Sequence, residues 1–267
     1  MNILVCVKQV PDTTIIKIDP ETNRLIRDGV PSILNPFDGY ALEAAARIKD
    51  ANPDTKLVVA TMGPGQAEAV LRDSLAIAAD KAYLVSAREF GGSDTLATSY
   101  ILSCAIKKIE ELEGKFDAIF CGKQAIDGDT AQVGCEIAEH LGYPLVTYGL
   151  EAEADGDGLK IVREEEAGTN IIGVKFPCVV TFTKPAWDPR FPNIKRKLAA
   201  RKAEIGTLGF EDFPDIDTTS IGLKGSPTKV KKTFVPPQKQ GGIVIDGEDG
   251  ADKGRKLVAM LDEANII

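Results

Sequence analysis

Residues 117–141 read DAIFCGKQAIDGDTAQVGCEIAEHL, and this stretch decides the fold class. Residues 117–121 form a short, mostly apolar run, which is typical of a strand buried on both faces. A polar loop follows, and residues 131–141 then repeat apolar side chains at helical spacing. The stretch therefore predicts one strand–loop–helix unit of a parallel sheet that is covered by helices.

The same unit recurs along the first two thirds of the chain. Further strands are predicted over residues 3–7, 57–62, 82–85 and 178–182, and helices after the turn at residues 35–38 and over residues 66–79 and 94–112. Gly91-Gly92-Ser93 is predicted to cap the helix over residues 94–112. This alternation predicts an α/β fold with an open, mainly parallel, doubly wound sheet of the Rossmann-like, adenine-nucleotide-binding type.

Three segments are expected to depart from this pattern. Residues 16–27 alternate like an excursion hairpin, and residues 151–163 predict an antiparallel hairpin around Asp155-Gly156-Asp157-Gly158. Beyond Pro185 the chain is polar and rich in proline until a helix over residues 250–264. Because so few apolar residues cannot offset the entropy of ordering, we expect an extended C-terminal arm that lies on another subunit. The expected domains are residues 1–184, which bind a nucleotide, and residues 185–267, which form the arm.

Bulk composition excludes several classes of function. A net charge of −8 argues against nucleic acid as a partner, and no apolar run reaches the length needed for membrane insertion. The five cysteines lack CxxC spacing and the chain begins without a secretory signal, so a reduced cytoplasm is the expected location. His140 is the only histidine, which disfavours a catalytic triad or a metal cluster. Any redox chemistry is therefore expected to belong to a bound cofactor, with no catalytic side chain.

Ligands of open parallel sheets lie beyond the carboxyl ends of the strands, where strand order reverses. Loops rich in small or hydrogen-bonding residues reach that edge at residues 8–13, 35–38, 62–66 and 122–130. The loop from Gly122 to Gly134 opens a helix, so its free N–H groups suit a phosphate or pyrophosphate. Gly128 and Ala131 leave room there, and Thr130 adds a hydroxyl donor. In the alternative interpretation, Asp129 or Thr130 merely caps the helix and Gly128 serves the turn.

The segment Met62-Gly63-Pro64-Gly65-Gln66 is a second candidate site. It carries only the first two glycines of a dinucleotide fingerprint, and Glu68 stands at the third glycine position. A tight turn between a strand and a helix explains the two glycines equally well. An NAD-linked dehydrogenase that uses Gly63 and Gly65 therefore stays open as one alternative function.

Several motifs, taken in order, resemble the β subunit of electron-transferring flavoproteins. These motifs are Val7-Lys8-Gln9-Val10-Pro11-Asp12, Asn35-Pro36-Phe37-Asp38, Lys123-Gln124-Ala125-Ile126-Asp127-Gly128-Asp129, Pro177-Cys178-Val179-Val180-Thr181 followed by Pro192-Asn193-Ile194, and Val235-Pro236-Pro237-Gln238. The resemblance implies a heterodimer with an α subunit that holds a redox-active FAD and is embraced by the C-terminal arm. Residues 184–196 resemble the family's recognition loop for acyl-CoA dehydrogenases, although Trp187-Asp188-Pro189-Arg190-Phe191 replaces a leucine-bearing loop.

The family has two branches, which differ in what the β subunit binds. In one branch the β subunit holds a structural AMP. In the other it holds a second FAD, which accepts a hydride from NADH and passes electrons to the α-subunit FAD and to a low-potential acceptor such as ferredoxin or flavodoxin. Because Gly128, Thr130 and Ala131 are small, the resemblance favours FAD and electron bifurcation, in service of an acyl-CoA dehydrogenase or reductase. A stand-alone nucleotide-binding module, stable without a partner, is the alternative from another class.

The resemblance also implies where the ligands lie. The phosphates would lie on residues 127–133, the adenosine against residues 7–9, 35 and 122, and NADH along residues 63–66. The expected cofactor-binding residues are Val7, Lys8, Gln9, Asn35, Asp38, Met62, Gly63, Gly65, Gln66, Gly122, Gln124, Asp127, Gly128, Asp129, Thr130, Ala131, Gln132 and Val133.

Overall fold

This computed structural model describes residues 1–12, 31–231 and 241–267. The hairpin expected over residues 16–27 and the Val235–Gln238 motif lie outside the described residues. The described residues fall into two compact units, one built from residues 1–12 and 31–231 and the other from residues 241–267.

Strands and helices alternate through most of the first unit. The strands are β1 (Asn2–Cys6), β2 (Gln9–Pro11), β3 (Ser32–Leu34), β4 (Lys56–Met62), β5 (Lys81–Val85), β6 (Ala118–Gly122), β7 (Leu145–Asp155), β8 (Gly158–Glu165), β9 (Gly168–Lys175), β10 (Cys178–Phe182) and β11 (Gly206–Leu208). The helices are α1 (Pro36–Ala51), α2 (Glu68–Ile77), α3 (Thr95–Glu113), α4 (Val133–Leu141), α5 (Ile194–Lys202), α6 (Gly222–Gly225) and, in the second unit, α7 (Gly250–Glu263).

The central sheet runs in the order β11-β5-β4-β1-β6-β10-β7-β8-β9. All neighbours from β11 to β7 pair in parallel, whereas β7–β8 and β8–β9 pair antiparallel. The predicted α/β fold with an open, mainly parallel sheet is therefore confirmed. From β1 the chain first builds β4 and β5 on one side and later adds β6 on the other, so the order reverses between β1 and β6.

Hydrophobic cores cover both faces of the sheet, because successive side chains of a strand point to opposite faces. Ile3 and Val5 of β1 lie in one core with the apolar faces of α1 and α2. Leu4 lies in the other core with the apolar faces of α3 and α4. Strands that are buried on both faces explain the continuous apolar runs in the sequence.

The antiparallel edge extends further than the sequence predicted. The hairpin of β7 and β8 is confirmed, and its turn includes Gly156 at φ 58°. A third strand, β9, continues the edge and was not predicted, because most of its residues are exposed and only Ile172 and Val174 alternate as half-buried apolar positions.

Residues 185–231 pack on the sheet instead of separating from it after residue 184. The strand β11 pairs with the edge strand β5, and Ala200, Leu208, Phe213 and Ile221 are buried. These few apolar residues lie far apart in the sequence, so they gave no local signal of a core. The break between the compact units comes after Lys231. Within the described ranges, no helix is both long enough and apolar enough to cross a bilayer.

Candidate functional site

A cavity of about 380 Å³ lies at the carboxyl edge of the sheet, at the switch point between β1 and β6. It is formed by the ends of the central strands and by the starts of α1, α3 and α4. The predicted residues that line it are Val7, Lys8, Asn35, Asp38, Met62, Gly122, Gln124, Gly128, Thr130, Ala131, Gln132 and Val133. The structure therefore brings predicted residues from four separate loops to one cavity.

Other predicted residues lie beside the cavity without lining it. Asp127 accepts a hydrogen bond from Lys8 Nζ at 2.6 Å, and Asp129 accepts one from Gln124 Nε2 at 2.7 Å. Both carboxylates are therefore engaged by neighbouring donors rather than left free near an anion site.

The Gly-containing segment after β4 serves mainly as a turn. Gly65–Ala67 forms a short 3-10 turn, and a Cβ on Gly63 would lie 3.1 Å from the Ala67 Cβ. Gln9 Nε2 donates to the Gln66 carbonyl oxygen at 3.2 Å, which ties the turn to the start of β2. Gly63, Gly65, Gln66 and Gln9 do not line the cavity, whereas Met62 does.

The helix α4 begins at Val133, two residues later than predicted. The preceding loop places Asp129 at φ 51° and Ala131 at φ 54°, a left-handed conformation that L-residues adopt at a cost. Gln132 occupies the N-cap position, and no side chain accepts a hydrogen bond there. The interpretation that Asp129 or Thr130 caps this helix is therefore wrong. The first amides of α4 keep their donors free of side-chain caps, at the positive end of the helix dipole.

Asn35 fixes the loop after β6 to the start of α1. Its Nδ2 donates to the Gln124 carbonyl oxygen at 2.8 Å, and its Oδ1 accepts from the Ile126 amide at 3.2 Å. Asn35 occupies the N-cap position of α1, but its side chain makes no capping hydrogen bond. The asparagine therefore shapes the cavity loop instead of capping its own helix.

Asp38 joins the ends of β1 and β6 beneath the cavity. Its carboxyl oxygens accept from the Lys8 amide at 2.7 Å and the Gly122 amide at 3.1 Å. Burial raises the pKa of Asp38 from 3.8 to about 7, although hydrogen bonds from Asn35, Lys8 and Gly122 act in the opposite direction. A Cβ on Gly122 would lie 2.3 Å from Asp38 Oδ1, so only glycine permits this close approach.

One wall of the cavity was missed by sequence reasoning. It comes from the start of α3 and contains Ser93, Asp94, Thr95, Thr98 and Leu102. The expected cap Gly91-Gly92-Ser93 is also corrected, because Asp94 is the N-cap and accepts from the Ala97 amide at 3.1 Å. This wall could have been found from the position of its loop in the sheet. Because β5 is parallel to its neighbour β4, the loop after β5 also reaches the carboxyl edge. The remaining lining residues, Cys6, Ala60, Cys121, Lys123, Ala125 and Gly134, adjoin predicted positions or lie on the strands beneath them.

Several groups that line the cavity can bind a ligand. Backbone amides, the Thr130 hydroxyl and Lys8 offer donors that suit a phosphate-bearing ligand. His140 lies outside the lining, where its ring packs edge-on against Tyr100. Among residues 1–12, 31–231 and 241–267, no group of three His, Cys, Asp or Glu side chains could hold a metal ion.

Comparison with known proteins places the chain among electron-transfer proteins. A family model described as "Electron transfer flavoprotein domain" matches residues 22–212. The electron transfer flavoprotein subunit beta of Megasphaera elsdenii is 52% identical, covering 97% of this chain and 98% of the relative. The caffeyl-CoA reductase-Etf complex subunit CarD of Acetobacterium woodii is 47% identical, and the acryloyl-CoA reductase electron transfer subunit gamma of Anaerotignum propionicum is 44% identical, each covering 100% of both chains. The chain therefore belongs to the electron transfer flavoprotein β-subunit family.

Proposed function

We propose that this chain is the nucleotide-binding subunit of a heterodimeric electron-transfer flavoprotein in the cytoplasm and that its cavity holds the adenosine diphosphate part of an FAD. When bound, that FAD would supply hydride and single-electron chemistry, which no side chain of this chain provides. The observation that carries the proposal is the cavity at the switch point, faced by the uncapped start of α4.

The phosphates would be held by the segment from Asp127 to Val133. The free amides at the start of α4 and the Thr130 hydroxyl supply donors, and the helix dipole favours negative charge at this end. Lys8 and Gln124 occupy the carboxylates of Asp127 and Asp129, which lowers their repulsion toward a diphosphate. The adenosine would lie deeper, against Val7 and Asn35.

Space beside Gly128 supports a dinucleotide. A Cβ built on Gly128 would meet no atom within 4 Å. The part of FAD that links the diphosphate to the flavin could therefore leave the cavity past Gly128, with the flavin outside the cavity. The cavity itself, at about 380 Å³, lies at the small end of ligand pockets. That volume is the observation that favours a second candidate function, an electron-transfer subunit with a structural AMP.

The proposal for the electron partners rests on the names of two relatives and on the largely exposed segment 184–196. Two relatives are named for caffeyl-CoA and acryloyl-CoA reductase complexes, so we propose an acyl-CoA dehydrogenase-like or reductase partner here. Residues 184–196 would meet it, with Phe191, which is 95% exposed, as an apolar contact. NADH would approach along Gly63 to Gln66. The electrons would pass to the α-subunit FAD and to a ferredoxin or flavodoxin.

The test is the nucleotide content of the purified heterodimer, measured by chromatography after denaturation. We expect two FAD and no AMP per heterodimer. One FAD with one AMP would replace the bifurcating function by the structural-AMP function, and a single FAD without other adenine nucleotide would contradict the cavity assignment itself.

A substitution at the proposed exit from the cavity sharpens this test. Gly128→Val places a branched side chain in open space, so we expect the fold to persist and the second FAD to be lost or reduced by about tenfold. Gly173→Val is the matched control, because Gly173 also has open space around it but lies on the exposed strand β9. Equal FAD content in both variants would show that the ligand does not pass Gly128.

A further inference from the structure

The wall of the cavity at the start of α3 is joined to the opposite wall by Thr95. The Thr95 hydroxyl lies 3.2 Å from Glu136 Oε1 and 3.4 Å from Gln132 Oε1, so it can donate to either. Gln132 lines the cavity on the α4 side, and Thr98 lines it one turn further along α3. The position of the first turn of α3 therefore sets how closely the two walls approach a ligand.

This turn is fastened from outside by residues 222–228, here called the strap. The Gly222 amide donates to Ser93 Oγ at 3.1 Å, and the Asp94 amide donates to Ser226 Oγ at 2.8 Å. Thr228 donates twice to Asp94 Oδ2, from its amide at 2.9 Å and from its hydroxyl at 2.8 Å. The strap lies near the end of the first compact unit, which closes at Lys231.

Asp94 connects the strap to the cavity wall. Its Oδ1 caps α3 through the Ala97 amide, while its Oδ2 is held by Thr228. Partial burial acts to raise the pKa of Asp94, but the hydrogen bonds from Thr228 and Ala97 outweigh it and lower the pKa. The carboxylate is therefore charged at neutral pH, and charged acceptors make the stronger hydrogen bonds. With both oxygens occupied, Asp94 presents little free charge to an anionic ligand.

We propose that Thr228 is a positioning residue for the cavity: by holding Asp94, its hydroxyl keeps Thr95 and Thr98 against the bound nucleotide and slows the release of that nucleotide. The inference rests on the proposed function only in that an adenine nucleotide, FAD or AMP, occupies the cavity. Thr228 itself does not line the cavity, so its effect must pass through Asp94.

The experiment measures the rate at which the purified full-length heterodimer releases its adenine nucleotide after dilution, sampled by filtration and chromatography. Thr228→Val removes the hydroxyl and keeps the shape, so we expect release to become about fivefold faster, whereas Thr228→Ser restores the donor and the slow rate. Thr219→Val is the matched control, because the Thr219 hydroxyl makes the same kind of bond, 2.7 Å to Asp217 Oδ1, away from the cavity.

The melting temperature of each nucleotide-free variant separates positioning from general loosening. The inference is supported if only Thr228→Val releases nucleotide faster while its melting temperature matches that of Thr219→Val. Unchanged release, or equally fast release from Thr219→Val, would overturn it. If Thr228→Val yields no heterodimer, Asp94→Asn must show the faster release instead, because an amide has one acceptor oxygen and cannot replace both carboxyl oxygens, which accept from Thr228 and from the Ala97 amide. A heterodimer without nucleotide in the cavity would overturn the proposed function as well, whereas normal loading with unchanged release would overturn this inference alone.

Discussion

Asp38 is a carboxyl group placed where charge is costly. It is buried beneath the cavity and accepts hydrogen bonds from the Lys8 and Gly122 amides, which end the two strands of the switch point. The folded protein therefore holds a proton on this group to about pH 7, whereas the unfolded chain releases it near its ordinary pKa of 3.8. Between these values the folded state binds more protons than the unfolded state, so stability falls as the pH rises.

This difference predicts a pH-dependent effect of Asp38→Asn. The uncharged amide loses one acceptor, which costs about 1–3 kcal/mol at any pH. It also removes the cost of ionising Asp38, which grows from about pH 4 to pH 7 and reaches about 4 kcal/mol. The variant should therefore gain stability relative to the unsubstituted protein as the pH rises from 5.5 to 8. Urea unfolding of both full-length chains measures the difference. A constant difference would contradict the prediction, and the exposed Asp157→Asn supplies a control that should show no trend.

Single residues of the candidate site could be predicted only where their loop was recognised. The loop after β6 was recognised from Gly122, Gly128 and Thr130, because small residues and hydroxyls at the start of a helix favour an anion site. Thr95 and Thr98 could not be found in this way, since threonine near a helix start is equally typical of an ordinary cap. Only the parallel pairing of β5 places them at the cavity.

At the scale of elements, residues 184–193 are fastened to α1 by one arginine. Glu43 of α1 is buried, with a side chain only 4% exposed, and it accepts from Arg190 Nε at 2.7 Å and from Arg47 Nε at 2.9 Å. Arg190 also reaches Asp50 at 2.7 Å. The Arg47 guanidinium lies 4.0 Å from the centre of the Trp187 ring, which adds a cation–π contact to the same anchor.

We therefore expect Arg190→Met to destabilise the protein by about 2 kcal/mol, because it leaves the buried Glu43 carboxylate with one cationic partner instead of two. Lys160→Met is the matched control. It removes an exposed pair with Glu153 that contributes about 0–1 kcal/mol. Urea unfolding midpoints of the full-length variants provide the measurement, and equal losses from the two substitutions would show that Arg190 anchors nothing.

The strands that are most deeply buried were the ones that the sequence predicted best. Strands β1, β4, β6 and β10 are buried on both faces, so each appears in the sequence as a mostly apolar run. The strand β11 has three residues and is specified by its pairing with β5, which no local pattern can reveal. Long-range pairing, rather than propensity, decides such short elements.

At the scale of the whole molecule, the extent of the first compact unit sets what can be removed. This unit continues to Lys231, and its last buried groups include Ile221 and Ser226. The helix α7 of the second unit has no buried residue, although one of its faces is apolar. A helix with such a face is typical of a segment that packs on a partner, as proposed for the C-terminal arm.

Two truncations test this division. A chain that ends after residue 231 should keep its fold, with a melting temperature within a few degrees of the full-length chain, because it retains every residue of the first unit. A chain that ends after residue 219 loses buried Ile221 and the bonds from the strap to Ser93 and Asp94, and should be destabilised by at least about 3 kcal/mol. Thermal unfolding followed by circular dichroism compares the three chains. Equal destabilisation by both truncations would mean that residues 232–267 belong to the core of the fold. A further outcome is that the longer truncated chain folds and yet no longer co-purifies with the α subunit. Residues 232–267 would then be needed for assembly of the heterodimer and not for the fold, because the sheet and the cavity would be complete without them.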